Sequence, residues 1–469
     1  MTWFAFFISF MVWFAHAPLM PYIRDAFKLS EQEVKVLLIL NVALTIPARI
    51  IVGMLVDKYG PKQLFSSILI LGGMISIGFS LCQTYQQLAI VRFLSGFVGA
   101  GFVVGIRMIS EWFPARQTGI AQGIYGGWGN FGSAGAAILL PSIALYFGPE
   151  NGWRYAIGFA GVLAIIYGII YYFSVSNTPK GSTYFKPKKM GAMEVTSKKD
   201  LFLYIIMNAP MYLALGVLTW KLSAKMHWFN EITADAIYAS LAGLFAFQIW
   251  KIIHVNQSIF KTEVPEMQRY AFKQVAILSI AYALTFGTEL AVVSMLPLYY
   301  VDTFNIAPVK AGILAGIYPV INLFARPAGG WLSDKIGRKL TLGIVSAGTA
   351  ISFFILGKVT SDWALWLVVG ATILGGIFSK AGSGAVYAMV PLIQRRMTGQ
   401  FAGMVGAFGN VGGLVFLTVL SFVPSNIFFM TIAGTAVFVF LCIMIFLSEP
   451  KGQMVEVMED GTIELIDVK

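Results

Sequence analysis

The chain has 469 residues, 58% of them hydrophobic and only 12% charged, whereas an ordinary soluble domain is roughly a quarter charged. A soluble globule is excluded. The net charge of +11 does not point to nucleic acid either, because its Lys and Arg residues lie in short loops between apolar runs, where cytoplasmic loops of membrane proteins collect them.

Apolar runs of about 20 residues recur along the chain, and in lipid such runs must be helices, since lipid offers backbone groups no hydrogen-bond partners. The first half reads as six spans over 3–23, 34–56, 64–83, 86–109, 117–147 and 153–175. No basic residue precedes the first, so it reads as a retained helix rather than a signal peptide, with a short cytoplasmic tail expected ahead of it. A polar linker follows from Asn177 to Asp200, with Lys180, Lys186, Lys188, Lys189, Lys198 and Lys199 beside Pro179 and Pro187. The second half repeats the pattern over 272–300, 310–333, 340–358, 363–389, 398–423 and 426–448. Two further apolar runs, 201–222 and 234–256, read as an inserted hairpin. Being even in number, they leave both halves in one orientation, as two helices lying on the surface also would.

The expected organisation is an N-terminal six-helix half (1–176), a cytoplasmic linker with the hairpin (177–271), a C-terminal six-helix half (272–448) and a polar cytoplasmic tail (449–469). The fold class is an all-α membrane protein. Basic loops at 57–62, 180–199, 334–339 and 395–396 place both termini in the cytoplasm. Cys82 and Cys442 lie in apolar runs, and His16, His227 and His254 have no ligand spacing, so neither metal nor cofactor is expected. A monomer is expected.

The repeat is explicit in two places. Gly53-x-x-x-Asp57-Lys58-x-Gly60-Pro61-Lys62 returns as Gly330-x-x-x-Asp334-Lys335-x-Gly337-Arg338-Lys339, at 334 − 57 = 277 residues. A glycine-rich stretch from Gly123 through Gly127, Gly129 and Asn130 to Gly132 returns as Gly403 through Gly409 and Asn410 to Gly413, at 403 − 123 = 280 residues. Gly123, Gly126, Gly127 and Asn130 share one helical face, as do Gly403, Gly406, Ala407 and Asn410. Small faces let helices approach closely, and the asparagines add amides that a buried site must satisfy. Gly127-x-Gly129-x-x-Gly132 also fits a dinucleotide fingerprint, but it lies in a membrane-length helix with no preceding strand. No phosphate-binding loop is present, so an ATP-driven pump is not expected.

Arg49 and Arg326 are also separated by 326 − 49 = 277 residues, each eight positions before its loop aspartate, or about 12 Å along a helix. An arginine near mid-bilayer costs at least ~2.5 kcal/mol and needs a partner. The pair reads as a clamp for a small oxyanion, which suits the planar guanidinium, or as two structural ion pairs. Arg107 can pair with Glu111 at i+4 or with Glu289 across helices. Glu289 is a candidate for proton coupling, because intramembrane carboxylates often serve as relays, and Arg107 is a further possible coupling residue. Lys380, in the middle of its helix, is an extra cation at the site or a partner for a carboxylate.

The loop frame resembles the signature of the major facilitator superfamily, whose aspartate and basic residues latch neighbouring helices. Asp57, Lys58, Asp334, Lys335 and Arg338 carry that resemblance. Pro61 departs from it, standing where a basic residue is common. With the glycine signatures, the paired arginines and Phe97-Val98-Gly99-Ala100-Gly101-Phe102, nearly the whole chain is similar to the nitrate/nitrite porter family, especially bacterial nitrate permeases.

The resemblance implies two pseudo-symmetric six-helix halves in a bacterial inner membrane, with nitrate, and often nitrite, held between Arg49 and Arg326. Asn130, Asn410 and the signature glycines Gly127, Gly129 and Gly409 are candidate substrate contacts. Phe102 and Tyr282 match an aromatic wall and a hydroxyl donor, although Tyr282 also reads as core filler. Secondary active transport by alternating access is implied. Proton symport and nitrate/nitrite exchange both satisfy the energetics, with assimilation favouring symport. A carrier of another small anion and a non-transporting receptor are the alternatives.

Overall fold

The computed structural model describes residues 1–148, 150–184, 186–187, 191–225, 227–261, 269–306, 308–420, 422–449, 453–457 and 463–467. The chain is built of membrane-length helices, as expected. Twelve stretches among the described residues are long and apolar enough to cross a membrane. The arginine-bearing helix Glu31–Tyr59 lies outside those twelve, yet its 29 residues also suffice at about 1.5 Å per residue.

The chain begins with α1 (Thr2–Phe14), α2 (His16–Phe27), α3 (Glu31–Tyr59), α4 (Pro61–Ser80) and α5 (Tyr85–Ser95). These lead to α6 (Gly101–Trp112), α7 (Thr118–Asn130), α8 (Gly132–Phe147) and α9 (Gly152–Ser174). The linker leads to α10 (Lys198–Trp220) and α11 (Glu231–Val255). The second half comprises α12 (Phe272–Phe304), α13 (Pro308–Val320), α14 (Asn322–Ile336), α15 (Arg338–Leu356), α16 (Leu365–Met389), α17 (Thr398–Leu420) and α18 (Ser425–Phe446). The tail carries β1 (Gln453–Val457), paired antiparallel with β2 (Ile463–Asp467).

Helix ends follow local chemistry. Ser30 and Glu33 form a reciprocal capping box at the start of α3, and Thr84 and Gln87 another at α5, each satisfying amides that a helix N-terminus leaves open. The duplicated loop glycines Gly60 and Gly337 have φ of 88° and 103°, values that favour glycine. They turn α3 into α4 and α14 into α15. Pro61 therefore stands at the first position of α4, where its missing amide costs nothing, which explains how this loop tolerates the departure from a basic residue.

Several expected single spans are interrupted. Gly96–Ala100 is a 3₁₀ segment between α5 and α6, where Gly96 and Gly99 lower the local preference for an α-helical turn. Phe131 separates α7 from α8 and Ile321 separates α13 from α14; the amides of Gly135 and Ala325 bond to the carbonyls of these two residues, and the Ile321 amide to that of Ile317, while Thr118–Phe147 is long and apolar enough to cross a membrane as one span.

By packing, the chain falls into two compact units. The first comprises Met1–Trp112, Trp128–Glu263 and Arg396–Ala407, the second Phe113–Gly127, Val264–Arg395 and Phe408–Lys469. In the first, α4 lies against α9 at Gly73 and Gly161, where an added Cβ on either glycine would meet the other's carbonyl. α10 packs on α11 and touches α3, while the apolar side chains Ile232, Leu244, Phe247 and Trp250 of α11 remain exposed. Asn256 ties the linker to the end of α11, accepting from the Val195 amide at 2.8 Å and donating to the Met193 carbonyl at 3.0 Å. In the second unit, α14 lies against α16 because Gly329 and Gly384 leave room for the backbones of Ala381 and Arg326.

Candidate functional site

Arg49 is buried at 1% exposure on α3. Its Nη1 donates to the carbonyl of Gly406 at 2.6 Å and its Nε to that of Gly99 at 3.4 Å. The guanidinium lies 5.6 Å from the centre of the Phe102 ring, within reach of a cation–π attraction. Gly403 makes this possible, since a Cβ there would strike the Arg49 carbonyl. Asn130 is buried in the same unit and its Nδ2 has no hydrogen-bond partner among the described residues. Gly129 has a packing role: a Cβ on it would collide with the Phe6 ring.

The second unit holds a denser cluster. Arg326, on α14 at 2% exposure, donates through Nη2 to the Tyr282 hydroxyl at 3.3 Å and lies 3.7 Å from Glu289 Oε2. Its guanidinium stands 5.6 Å from the Phe286 ring centre. Tyr282 stacks on Phe286 at 5.2 Å and meets Tyr387 edge-on at 4.8 Å. Glu289 Oε1 accepts from Asn322 Nδ2 at 2.5 Å and faces Lys380 Nζ at 3.4 Å. Asn410 is fully buried. A Cβ on Gly409 would meet the Tyr282 and Phe286 rings, and one on Gly127 the Asn322 carbonyl.

The structure thus groups Arg49 with Phe102, and Arg326 with Tyr282, Glu289 and Gly409. Sequence reading left Asn322, Phe286, Tyr318 and Tyr387 unassigned. Asn322 lies four residues before Arg326 and Phe286 four after Tyr282, one helical turn apart, and that spacing was the available signal.

The loop aspartates cap helices. Asp57, fully buried, accepts from the amides of Gly399 and Gln400 at 2.9 and 2.8 Å at the start of α17. Asp334 does the same for Gly119 and Ile120 at 3.1 and 2.9 Å at the start of α7. A carboxylate there satisfies open amides and meets the positive end of the helix dipole.

Each aspartate also meets an arginine. Arg107 Nε lies 3.5 Å from Asp57, its Nη2 3.0 Å from Glu111, and Arg338 Nη2 3.5 Å from Asp334. Arg338 further donates to the Ala115 carbonyl at 3.1 Å, while Glu449 accepts from the Arg338 and Lys339 amides. Lys58 and Lys335 are exposed and lie over Tyr59 and Trp331 instead. Tyr184, from the linker, accepts from Arg107 Nε at 3.2 Å and donates to the Val56 carbonyl at 2.5 Å. Burial pushes its phenol above the ordinary tyrosine range.

The family description "Major Facilitator Superfamily" matches residues 2–261 and 278–461. A nitrate/nitrite transporter NrtP of Nostoc punctiforme is 44% identical over 459 residues, covering 96% of this chain and 92% of that protein. The nitrate/nitrite transporter NrtP of a Picosynechococcus species is 42% identical, covering 98% and 94%. Among solved structures, the human organic anion transporter MFSD10 superposes with a TM-score of 0.66 over 94% of this chain and 97% of that one, at 10% identity. That likeness concerns the fold alone. The chain belongs to the major facilitator superfamily, within its nitrate/nitrite porter family, and is a multi-pass membrane transporter rather than an enzyme.

Proposed function

We propose that this transporter imports nitrate, and also nitrite, across the inner membrane of a bacterium by proton-coupled alternating access. The observation that carries the reading is the pair of buried arginines, Arg49 and Arg326, at equivalent positions of the repeat. Each is the kind of group that is retained inside a membrane only for a function or a partner, and each has planar donors suited to an oxyanion. Relatives above 40% identity bear the name nitrate/nitrite transporter, which supports the choice of anion.

In this reading Arg49 and Arg326 supply positive charge, Tyr282 a hydroxyl, and Asn130 and Asn410 amides to the anion. Phe102 and the glycines Gly127, Gly129 and Gly409 shape the space around it. Asp57, Arg107, Asp334 and Arg338 act as conformational latches whose release accompanies rocking of the repeat halves, with Lys58 and Lys335 marking the cytoplasmic face. Helices α10 and α11 cross the membrane as an inserted hairpin, both termini are cytoplasmic, and the unit of transport is a monomer.

Importing a lone anion against an inside-negative potential costs ~2.3 kcal/mol per 100 mV. More than one proton per nitrate meets that cost, and Glu289 is the proposed coupling carboxylate. The test is uptake of labelled nitrate into proteoliposomes with an imposed inward proton gradient, with nitrite and chlorate as competitors. Accumulation that collapses with a protonophore supports symport. Uptake that requires internal nitrite and ignores the gradient identifies an exchanger.

A further inference from the structure

Arg92 is a third intramembrane arginine of the first unit, on α5 at 3% exposure. Its Nε donates to the Leu37 carbonyl at 3.2 Å, and its Nη1 to the Trp13 carbonyl at 3.2 Å and the Ser95 hydroxyl at 3.0 Å. Nη2 has no hydrogen bond among the described residues, and no carboxylate there pairs with the guanidinium. Arg107, Arg326 and Arg338, by contrast, each stand beside a carboxylate. A cation buried among neutral groups lacks a counter-charge, and inside a membrane such a charge is retained for a partner or a function.

Arg92 lines a cavity of about 20 Å³ together with His16, Ser76 and Ser95, and a space of ~10–15 Å³ suffices for one water-sized occupant. His16, the first residue of α2, is 4% exposed, and its ring has no hydrogen-bond partner among the described residues. The hydroxyls of Ser76 and Ser95 already donate, to the Ile157 carbonyl at 3.0 Å and the Arg92 carbonyl at 2.6 Å. The donors that remain for the cavity are therefore on Arg92 and His16. A neutral imidazole keeps one N–H, and the guanidinium is charged at any physiological pH. One cationic and one neutral N–H donor around a space for a single small particle make an anion site.

This chamber is separate from the surroundings of Arg49, which does not line it. Ser76 stands 76 − 61 = 15 residues along α4 from the Asp57 loop, or about 22 Å, against about 12 Å for Arg49 along α3, so the chamber lies toward the opposite face of the membrane. Planar nitrate, with three oxygens, is too large for a space suited to one water. We propose that the chamber binds one monatomic anion of chloride size, which supplies the counter-charge of Arg92 and joins α2 to α5.

The experiment is equilibrium binding of radiolabelled chloride to the full-length chain in detergent, in nitrate-free sodium gluconate, with chloride-dependent thermal unfolding measured in parallel. The wild type is expected to bind about one chloride per chain saturably, and to keep it against an equal concentration of nitrate. Arg92→Gln and His16→Phe are each expected to weaken chloride binding about tenfold or more, while Arg49→Lys stays within about threefold of the wild type. His16→Phe leaves every arginine in place and decides the matter even if Arg92→Gln fails to fold. A wild type with no saturable chloride binding overturns the proposal, as does His16→Phe binding chloride like the wild type. Chloride that nitrate displaces, or that is lost in Arg49→Lys and kept in His16→Phe, sits at the transported anion's site and overturns it too.

Discussion

Arg107 lies 3.5 Å from Asp57 with neither side chain exposed to solvent. The same aspartate caps the start of α17 through the amides of Gly399 and Gln400, so one carboxylate holds three groups from two other helices. Breaking such a buried arrangement by removing one partner costs about 3 to 5 kcal/mol, because the remaining charge is left uncompensated. Asp57→Ala is expected to destabilise the protein by that amount in thermal unfolding in detergent. Asp57→Ala combined with Arg107→Met should cost less than the sum of the single changes; additive losses would show that the two side chains are not coupled.

Tyr184 reaches into this cluster from the linker, accepting from Arg107 and donating to the Val56 carbonyl. Tyr184→Phe keeps the ring under the guanidinium, 4.8 Å from its centre, and removes both hydrogen bonds. A loss of about 1 kcal/mol per bond is expected. Because burial raises the phenol, its contribution is present below the unfolded pKa of about 10 and fades as pH rises past it. Unfolding of wild type and Tyr184→Phe at pH 7 and 9 should therefore show the same difference; a difference that vanishes by pH 9 contradicts this geometry.

How far these contacts were legible in the sequence depends on the distance they span. The 277-residue repeat placed Arg49, Arg326, Asp57 and Asp334 at equivalent positions before any fold was known, and Arg107 and Glu111 were readable as a helical-turn pair. What each aspartate touches was not readable, since the Gly399 amide is 399 − 57 = 342 residues away and carries no side-chain signal. Tyr184 sits in a lysine-rich linker that resembles any solvated loop. Gly123 and Gly127, read as sharing one small face, both serve the backbone of α14, whereas Gly129, which lies off that face, serves Phe6. The periodicity gave the shared face but not the identity of the neighbour that it meets.

Gly53 and Gly330 open the two copies of the loop frame, and in each unit an added Cβ would collide with a backbone carbonyl, that of Gly399 or of Gly119. A backbone atom cannot rotate aside as a side chain can. Gly53→Ala and Gly330→Ala should each destabilise by about 1 to 3 kcal/mol through overpacking. Gly216→Ala, at a site with open space around it, is the control and should be neutral or mildly stabilising. Equal behaviour of all three in thermal unfolding would contradict the close helix approach.

Glu289→Gln removes the carboxylate proposed to carry the proton while keeping its size. Proteoliposomes holding this variant should bind nitrate yet lose nitrate-driven proton entry, read with an internal pH dye. Intact proton entry would remove Glu289 from the coupling step.

Arg49 and Arg326 are proposed to bind the transported anion through planar, two-pronged guanidinium contacts. Uptake of labelled nitrate by Arg49→Lys and Arg326→Lys, each reconstituted to equal density, tests it most directly. Lysine keeps the charge but supplies no fork, so each variant should transport nitrate at least about a hundredfold more slowly than the wild type, an effect of about 2.7 kcal/mol. Uptake by either lysine variant at the wild-type rate would rule out two-pronged guanidinium binding of the anion.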